Sequence, residues 1–273
     1  MAVTDHERSQ VEARLRDGLE RCDKGSVSLL PYLTPRQRKQ AEGLLRELGR
    51  GSQAWFFGGY GEAERTCLFL LPEYMTDFLS APIGECSLQE MREMLGEDLS
   101  RAVTAVLIRG SGYRELSHRD YLGSLLGLGL ERDALGDIAV QDPFRAVVFC
   151  SDTIAQFLIT SLTKVASDTV RCTRYEPDES FTDGITYRPI HDTVASPRLD
   201  CVVAALTNLS RENAQSAIRS GLVEVDFEPV ERTDLQLTPP TVLSIRGHGR
   251  FILRSFDGET RKGRLRMFAE KRI

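Results

Sequence analysis

The order of predicted secondary-structure elements between residues 103 and 175 constrains the fold of this chain most. Residues 103–108 form a short apolar run rich in β-branched side chains, which indicates a buried strand. A helix pattern capped by Ser117 follows, then strands at 138–140 and 146–149, a second helix pattern capped by Ser151, and a last strand at 168–175. The order strand–helix–strand–strand–helix–strand is typical of ferredoxin-like sheets. We therefore expect an α+β chain with a βαββαβ domain in its middle.

Upstream of this domain, the sequence predicts two helices and a hairpin. The first helix has apolar residues at helical spacing from Val11 to Cys22, and the second begins at the N-cap Thr34. Strands are predicted at 54–57 and 66–71, around the glycine-rich segment 58–65. Such a segment could cradle phosphate, but it lacks the Lys-Ser/Thr ending of a P-loop. Turn geometry is therefore the favoured reason for its glycines.

Downstream, the polar segment 176–180 predicts a loop, with a domain boundary somewhere in 176–197. Two short helices and a set of short strands follow. Asp257-Gly258 predicts a hairpin turn that pairs 250–256 with a basic strand around 264–268. We expect three domains: a helix-plus-hairpin α/β domain over 1–80, the βαββαβ domain over 81–180, and a third over 190–273.

Charge is distributed unevenly along the chain. The 273 residues carry a formal net charge of −5, which argues against a protein that coats nucleic acid through bulk charge. Residues 244–273 nevertheless hold nine basic and three acidic side chains, a net charge of +6. A basic end on an acidic chain suggests an anionic partner, although a solvated basic tail explains the charge equally well.

Several functional classes lack support in the sequence. No apolar run approaches the roughly eighteen residues needed to span a bilayer, and the charged first thirty residues do not form a signal peptide, so we expect a cytoplasmic protein with no membrane partner. The six cysteines and four histidines show neither disulfide nor metal-ligand spacing. His118-Arg119-Asp120 matches the kinase catalytic triplet, but Leu125 stands where that motif needs asparagine. We expect no enzyme activity, no cofactor and no metal.

The most informative motifs lie in 198–256. They are Arg198-Leu199-Asp200, then Ser210-Arg211 with Ala214, then Gly221-Leu222-Val223-Glu224-Val225, then Arg246-Gly247-His248-Gly249-Arg250. In order and spacing this stretch resembles the small RNA-binding domain named after ribosomal small-subunit protein S-four. Glu224 stands where that family has a lysine, and Asp226-Phe227 where it has asparagine and glycine. Both departures reduce positive charge.

The remaining motifs resemble the YlmH family, which carries an S-four domain at its C-terminus. They are Phe57-Gly58-Gly59-Tyr60, Glu64-Arg65, the run from Leu116 to Gly123, Gly136-Asp137-Ile138, and Thr193 to Ser196 leading into Arg198. The resemblance implies an RNA-recognition-like middle domain. It also implies binding to the large ribosomal subunit, with its rRNA and a peptidyl-tRNA as partners, and a role in rescue or quality control of stalled translation. DNA is not an expected partner.

The motifs also give a candidate RNA-binding set. Arginines at or near helix starts can meet phosphates together with free backbone N–H groups, and glycines let backbone approach RNA closely. The alternative is that Arg198 pairs with Asp200 and the glycines only form turns. The predicted set is Arg198, Arg211, Arg246, Gly247, His248, Gly249 and Arg250, with a possible second contact at Tyr113, His118 and Arg119.

Two other functions stay open on sequence alone. One is an RNA-modifying enzyme, because S-four domains are often joined to such enzymes; no synthase or synthetase signature is recognisable here. The other is a scaffold for cell division or photosystem assembly, roles with which some members of the YlmH family are linked.

Overall fold

The computed structural model describes the backbone of residues 2–178 and 180–273, and side chains from residue 9 onward, so Glu179 and the side chain of His6 lie outside the described part. The chain divides into two compact units, Met1–Gly184 and Ile185–Ile273. This boundary falls inside the interval 176–197. The boundary predicted near residue 80 stays a prediction.

The N-terminal part of the first unit packs helices on a three-stranded antiparallel sheet with strand order β1-β3-β2. The helices are α1 (Ala2–Asp23), α2 (Pro35–Glu47), α3 (Glu73–Thr76), α4 (Leu88–Leu95) and α5 (Glu97–Ala102); the strands are β1 (Ser28–Leu33), β2 (Ala54–Phe57) and β3 (Thr66–Leu70). Thr34 caps α2 in a reciprocal capping box with Gln37, as its sequence position predicts. The hairpin β2–β3 is confirmed. Strand β1 is absent from the sequence prediction because Pro31 lowers its strand signal; as an edge strand, β1 tolerates the proline.

The glycine-rich turn between β2 and β3 is held by one carboxylate. Asp137 accepts hydrogen bonds from Tyr60 Oη at 2.8 Å, from the Glu64 backbone N–H at 2.7 Å and from the Arg65 backbone N–H at 3.1 Å. A Cβ on Gly59, which has φ +111°, would lie 2.1 Å from the Phe149 ring, so only glycine fits there. Residues of three sequence motifs, 57–60, 64–65 and 136–138, therefore make structural contacts within the first unit.

The rest of the first unit is the predicted βαββαβ domain. Its elements are β4 (Thr104–Gly110), α6 (His118–Gly127), β5 (Leu135–Asp142), β6 (Arg145–Cys150), α7 (Asp152–Ser161), a short β7 (Lys164–Val165) and β8 (Asp168–Tyr175). The strand order is β5-β6-β4-β8-β7, with every neighbouring pair antiparallel. Ser117 and Ser151 cap the two helices as predicted.

The two faces of this sheet have different neighbours. Val106 and Ile108, with Val148, Ala146 and Cys172 opposite them, pack with residues of α6 and α7. The opposite face, here called the front face, carries Ala105, Leu107 and Arg109 of β4 and the residues paired with them on β6 and β8. At the end marked by Ala105 and Phe149, the front face packs against residues of α4, α5 and the glycine-rich turn.

The second unit packs two helices on one face of a six-stranded antiparallel sheet with order β11-β10-β12-β13-β14-β9. Its elements are β9 (Tyr187–Val194), α8 (Leu199–Thr207), α9 (Arg211–Arg219), β10 (Val223–Val225), β11 (Glu228–Pro229), β12 (Thr241–Ile245), β13 (Gly249–Glu259) and β14 (Leu265–Arg272). Strand β9 lies in the interval predicted as a boundary. Its side chains are mostly exposed, so it lacks the apolar alternation that would have revealed a strand.

The predicted turn at Asp257-Gly258 is wrong, although β13 does pair with the basic strand β14. Both residues lie inside β13, where the pairing register shifts between Phe256 and Glu259 and Gly258 has φ +70°. The chain reverses instead between Thr260 and Arg264, whose backbone groups share a 2.7 Å hydrogen bond. A glycine of positive φ therefore marks a bulge here and not the turn.

None of the helices in the described part of the chain is long and apolar enough to cross a membrane. All six cysteines are free thiols. The described residues include no group of three or more His, Cys, Asp or Glu side chains arranged to hold a metal ion.

Candidate nucleic-acid interface

The two helices of the second unit meet at a buried carboxylate. Asp200 is 0% exposed, and its side chain accepts four hydrogen bonds. Arg198 donates two of them, from Nε and Nη2, both at 3.1 Å. Arg211 Nε donates the third at 3.1 Å and Gln215 Nε2 the fourth at 2.7 Å. The structure therefore brings Arg198 and Arg211 together on one anion, and the ion pair that the sequence left as an alternative is present.

This cluster fixes the charge state of its carboxyl group. Burial alone would raise the pKa of Asp200, but the hydrogen bonds from Arg198, Gln215 and Arg211 outweigh it and hold the pKa well below its ordinary value. The same hydrogen bond raises the pKa of the Arg198 guanidinium. Asp200 is thus an anion at neutral pH, and its charge orients both guanidinium groups.

Each of the two arginines also has N–H groups that do not bond Asp200. Arg198 immediately precedes α8 and Arg211 is the first residue of α9, so both stand at helix starts, as predicted. Their side chains are 32% and 55% exposed. Arg211 commits only Nε to Asp200, and the described residues provide its two Nη groups with no other partner. An anion outside the protein can therefore reach a guanidinium that Asp200 has already oriented.

The predicted glycine turn lies at a different place in this unit. Ile245 pairs with Gly249 across β12 and β13, and residues 246–248 form the loop between them. Gly247 and Gly249 have φ values of +83° and +101°, which glycine adopts without strain. The backbone N–H of Arg246 bonds the Leu222 carbonyl, just after α9 ends. The turn is therefore near the end of α9 opposite Arg211, about 12 Å away along that nine-residue helix.

The guanidinium group of Arg250 makes a cation–π contact with an aromatic ring. Its guanidinium carbon lies 5.2 Å from the centroid of Phe227. Phe227 and Asp226 both have positive φ and form the two-residue turn between β10 and β11. The departure from the S-four pattern at these positions thus places an aromatic ring against the predicted RNA-binding arginine.

The possible second contact lies in the first unit, around the start of α6. Tyr113 is 97% exposed on the loop after β4. Ser111 bonds Asp168 through its backbone N–H at 2.9 Å and holds the base of this loop. His118 and Arg119 open α6, where Asp120 completes a capping box with Ser117. The three residues therefore share one end of the sheet, and an RNA contact there stays a prediction.

Sequence reasoning missed two members of these clusters. Gln215 lies four residues after Arg211 on α9, so helical spacing alone would have placed it on the same face. Phe227 gave no such signal, because its contact with Arg250 depends on the pairing of β10, β12 and β13.

A family model, a relative and a solved structure are each similar to this chain. Residues 104–179 match the family model described as "Putative RNA-binding domain in YlmH". Over 246 residues, 90% of this chain and 87% of the relative, the sequence is 28% identical to the "Ribosome-associated protein quality control protein P2" of Bacillus subtilis (strain 168). The solved structure "Cell division protein ylmH from Streptococcus pneumoniae" is similar with a TM-score of 0.47 and 19% identity, covering 62% of this chain and 91% of the other.

The matched residues include every element from β4 to β8, which together form the βαββαβ domain that the sequence predicts. The relative covers both units of the chain. The resemblance to the YlmH family that the sequence predicts is therefore confirmed: residues 104–179 match a domain model of that family, and the Bacillus subtilis relative is similar along 90% of the chain.

Proposed function

We propose that this protein is a non-catalytic RNA-binding factor that associates with the large ribosomal subunit, contacts its rRNA and a peptidyl-tRNA, and acts in rescue or quality control of stalled translation. The observation that carries the proposal is the similarity across 90% of the chain to a relative named as a ribosome-associated quality control protein. The match of residues 104–179 to an RNA-binding domain supports it independently.

The second unit supports the same proposal as an S-four-type domain. Its two helices begin at Arg198 and Arg211, and its strands include the glycine turn 246–248, in the order that the S-four resemblance implies. The outward donors of Arg211 and the exposed Arg246 offer phosphate contacts on this unit. Because these contacts are few, we expect ribosome binding to depend on the first unit as well.

Crosslinking of the full chain to RNA in cells, followed by sequencing of the attached RNA, tests the proposal. We expect large-subunit rRNA and tRNA, and co-sedimentation of the protein with large subunits. Recovery of neither RNA would refute the ribosomal assignment. A mass shift in tRNA or rRNA after incubation with the purified protein would refute the non-catalytic part and favour an RNA-modifying enzyme.

A further inference from the structure

Three arginines form a row across the front face of the βαββαβ domain. In the antiparallel register, Arg109 of β4 pairs directly with Arg145 of β6 on one side and with Arg171 of β8 on the other. Directly paired residues point to the same face, and strands lie about 4.8 Å apart, so the row spans about 10 Å.

Only one arginine of the row has a partner within the described part of the protein. Arg145 Nε bonds Asp142 at 2.5 Å, but the described part of the chain provides no hydrogen bond or ion pair for Arg109 or Arg171, and both are exposed. Like charges placed directly opposite each other on neighbouring strands destabilise a sheet. The row therefore costs stability, and an external anion would relieve the repulsion.

The aromatic side chains of the same face, Phe149 of β6 and Tyr175 of β8, both pack against Phe181 of the chain itself. Phe149 of β6 is 1% exposed, beneath Tyr60 at 5.1 Å and Phe181 at 5.6 Å between ring centroids. RNA-recognition modules stack bases on exposed aromatic rings of their sheet. At Phe149, residues of the chain itself occupy the position that a base would need. The contacts that the open end of the front face offers are guanidinium groups, which recognise phosphate.

We propose that the row Arg145, Arg109 and Arg171 binds the sugar-phosphate backbone of RNA without reading its base sequence, an inference that rests on the proposed RNA-binding function and names its surface on the first unit. Lys164 of β7 adds a further positive charge to the same face, because it pairs with Thr169, two residues before Arg171. The domain thus binds RNA through contacts to phosphate groups, which carry no information on base sequence.

The test measures affinity of the full chain for two short single-stranded RNAs of unrelated sequence between 50 and 200 mM salt. The variant is Arg109→Gln with Arg171→Gln. Its control, Arg101→Gln with Arg174→Gln, removes the same charge from arginines that are not in the row: Arg101 pairs with Glu97 on α5, and Arg174 pairs with Asp152 on the opposite face of β8.

Each lost phosphate contact removes about 0.7 from the slope of log K against log salt for a single strand. We expect the magnitude of the slope to be smaller by about 1.4 in the glutamine variant for both RNAs and unchanged in the control. Arg109→Lys with Arg171→Lys preserves the charge and should keep the slope of the unaltered chain. Equal slopes for variant and control would overturn the inference while leaving the proposed function intact, and so would a loss confined to one RNA sequence. If the unaltered chain binds neither RNA, the inference fails, whereas the proposed function is decided separately by crosslinking to rRNA and tRNA in cells. Thermal unfolding of each variant shows whether it is folded. If the double glutamine variant is not, Arg109→Gln alone decides the question, with an expected loss of about 0.7 from the magnitude of the slope.

Discussion

Replacement of Arg198 by alanine is the sharpest test of the Asp200 cluster. The change removes two of the four hydrogen bonds that a fully buried carboxylate accepts and leaves only Arg211 and Gln215 as its donors. Asp200 would then carry a charge in the protein interior with only two of its four hydrogen bonds. We therefore expect Arg198→Ala to destabilise the second unit, whatever it does to RNA binding.

The magnitude follows from the contacts. Hydrogen bonds to a charged group contribute about 1.5–3 kcal/mol each, but both bonds here come from one guanidinium that is a third exposed and therefore screened by water. We expect a loss of about 2 kcal/mol in the free energy of unfolding. For a unit the size of residues 185–273, this corresponds to a decrease in Tm of about 8–16 °C.

The effect has a defined dependence on pH. The folded protein lowers the pKa of Asp200, so the stabilisation is fully present above the ordinary carboxyl value near 4 and is lost as the pH falls below it. The difference in stability between the unaltered protein and Arg198→Ala should therefore be constant from about pH 5 to pH 8 and shrink below about pH 4.

Hydrogen exchange of the second unit in the full chain, with thermal unfolding at several pH values, measures this difference. Arg232→Ala is the control. It removes the same charge, but Arg232 pairs with Asp234 at 3.2 Å on the surface of the same unit. Its effect should stay below about 1 kcal/mol. If Arg198→Ala has the same Tm as the control variant but binds RNA more weakly, the reasoning is refuted and Arg198 acts only as an RNA contact.

Three further expectations follow from other parts of the chain. Gly59→Ala should destabilise the first unit by about 1–3 kcal/mol in urea unfolding, because its Cβ would overlap the Phe149 ring, whereas Gly61→Ala meets no atom within 4 Å and should be close to neutral. At pH 8, iodoacetamide should modify Cys201 well before the buried Cys67, where burial raises the thiol pKa to about 12; equal rates in mass spectrometry would contradict the packing. The fragment 190–273, with its net charge of only +2, should co-sediment poorly with large subunits at physiological salt, and occupancy equal to that of the full chain would show that the first unit adds nothing to binding.

Local signals in the sequence were sufficient for most of the elements. The caps Thr34, Ser117, Ser151 and Ser210 accept hydrogen bonds from helix N–H groups only a few residues away, so short-range patterns reveal them. The order of the βαββαβ elements likewise restricted the sheet to few topologies, and the ferredoxin-like arrangement followed. Strand β9 escaped detection because its partner lies more than seventy residues away and its own side chains are mostly exposed.

The sequence by itself determined the fold class, the family resemblance and the arginines that stand at helix starts, because each depends on spacing along the chain. Only the tertiary structure decided what those arginines do. Arg198, Arg211 and Gln215 converge on Asp200 because α8 and α9 pack together, and burial of that carboxylate makes its donors part of the core's polar network. The row of Arg145, Arg109 and Arg171 depends even more on long-range pairing: residues separated by 36 or more positions become neighbours only when three strands adopt one register.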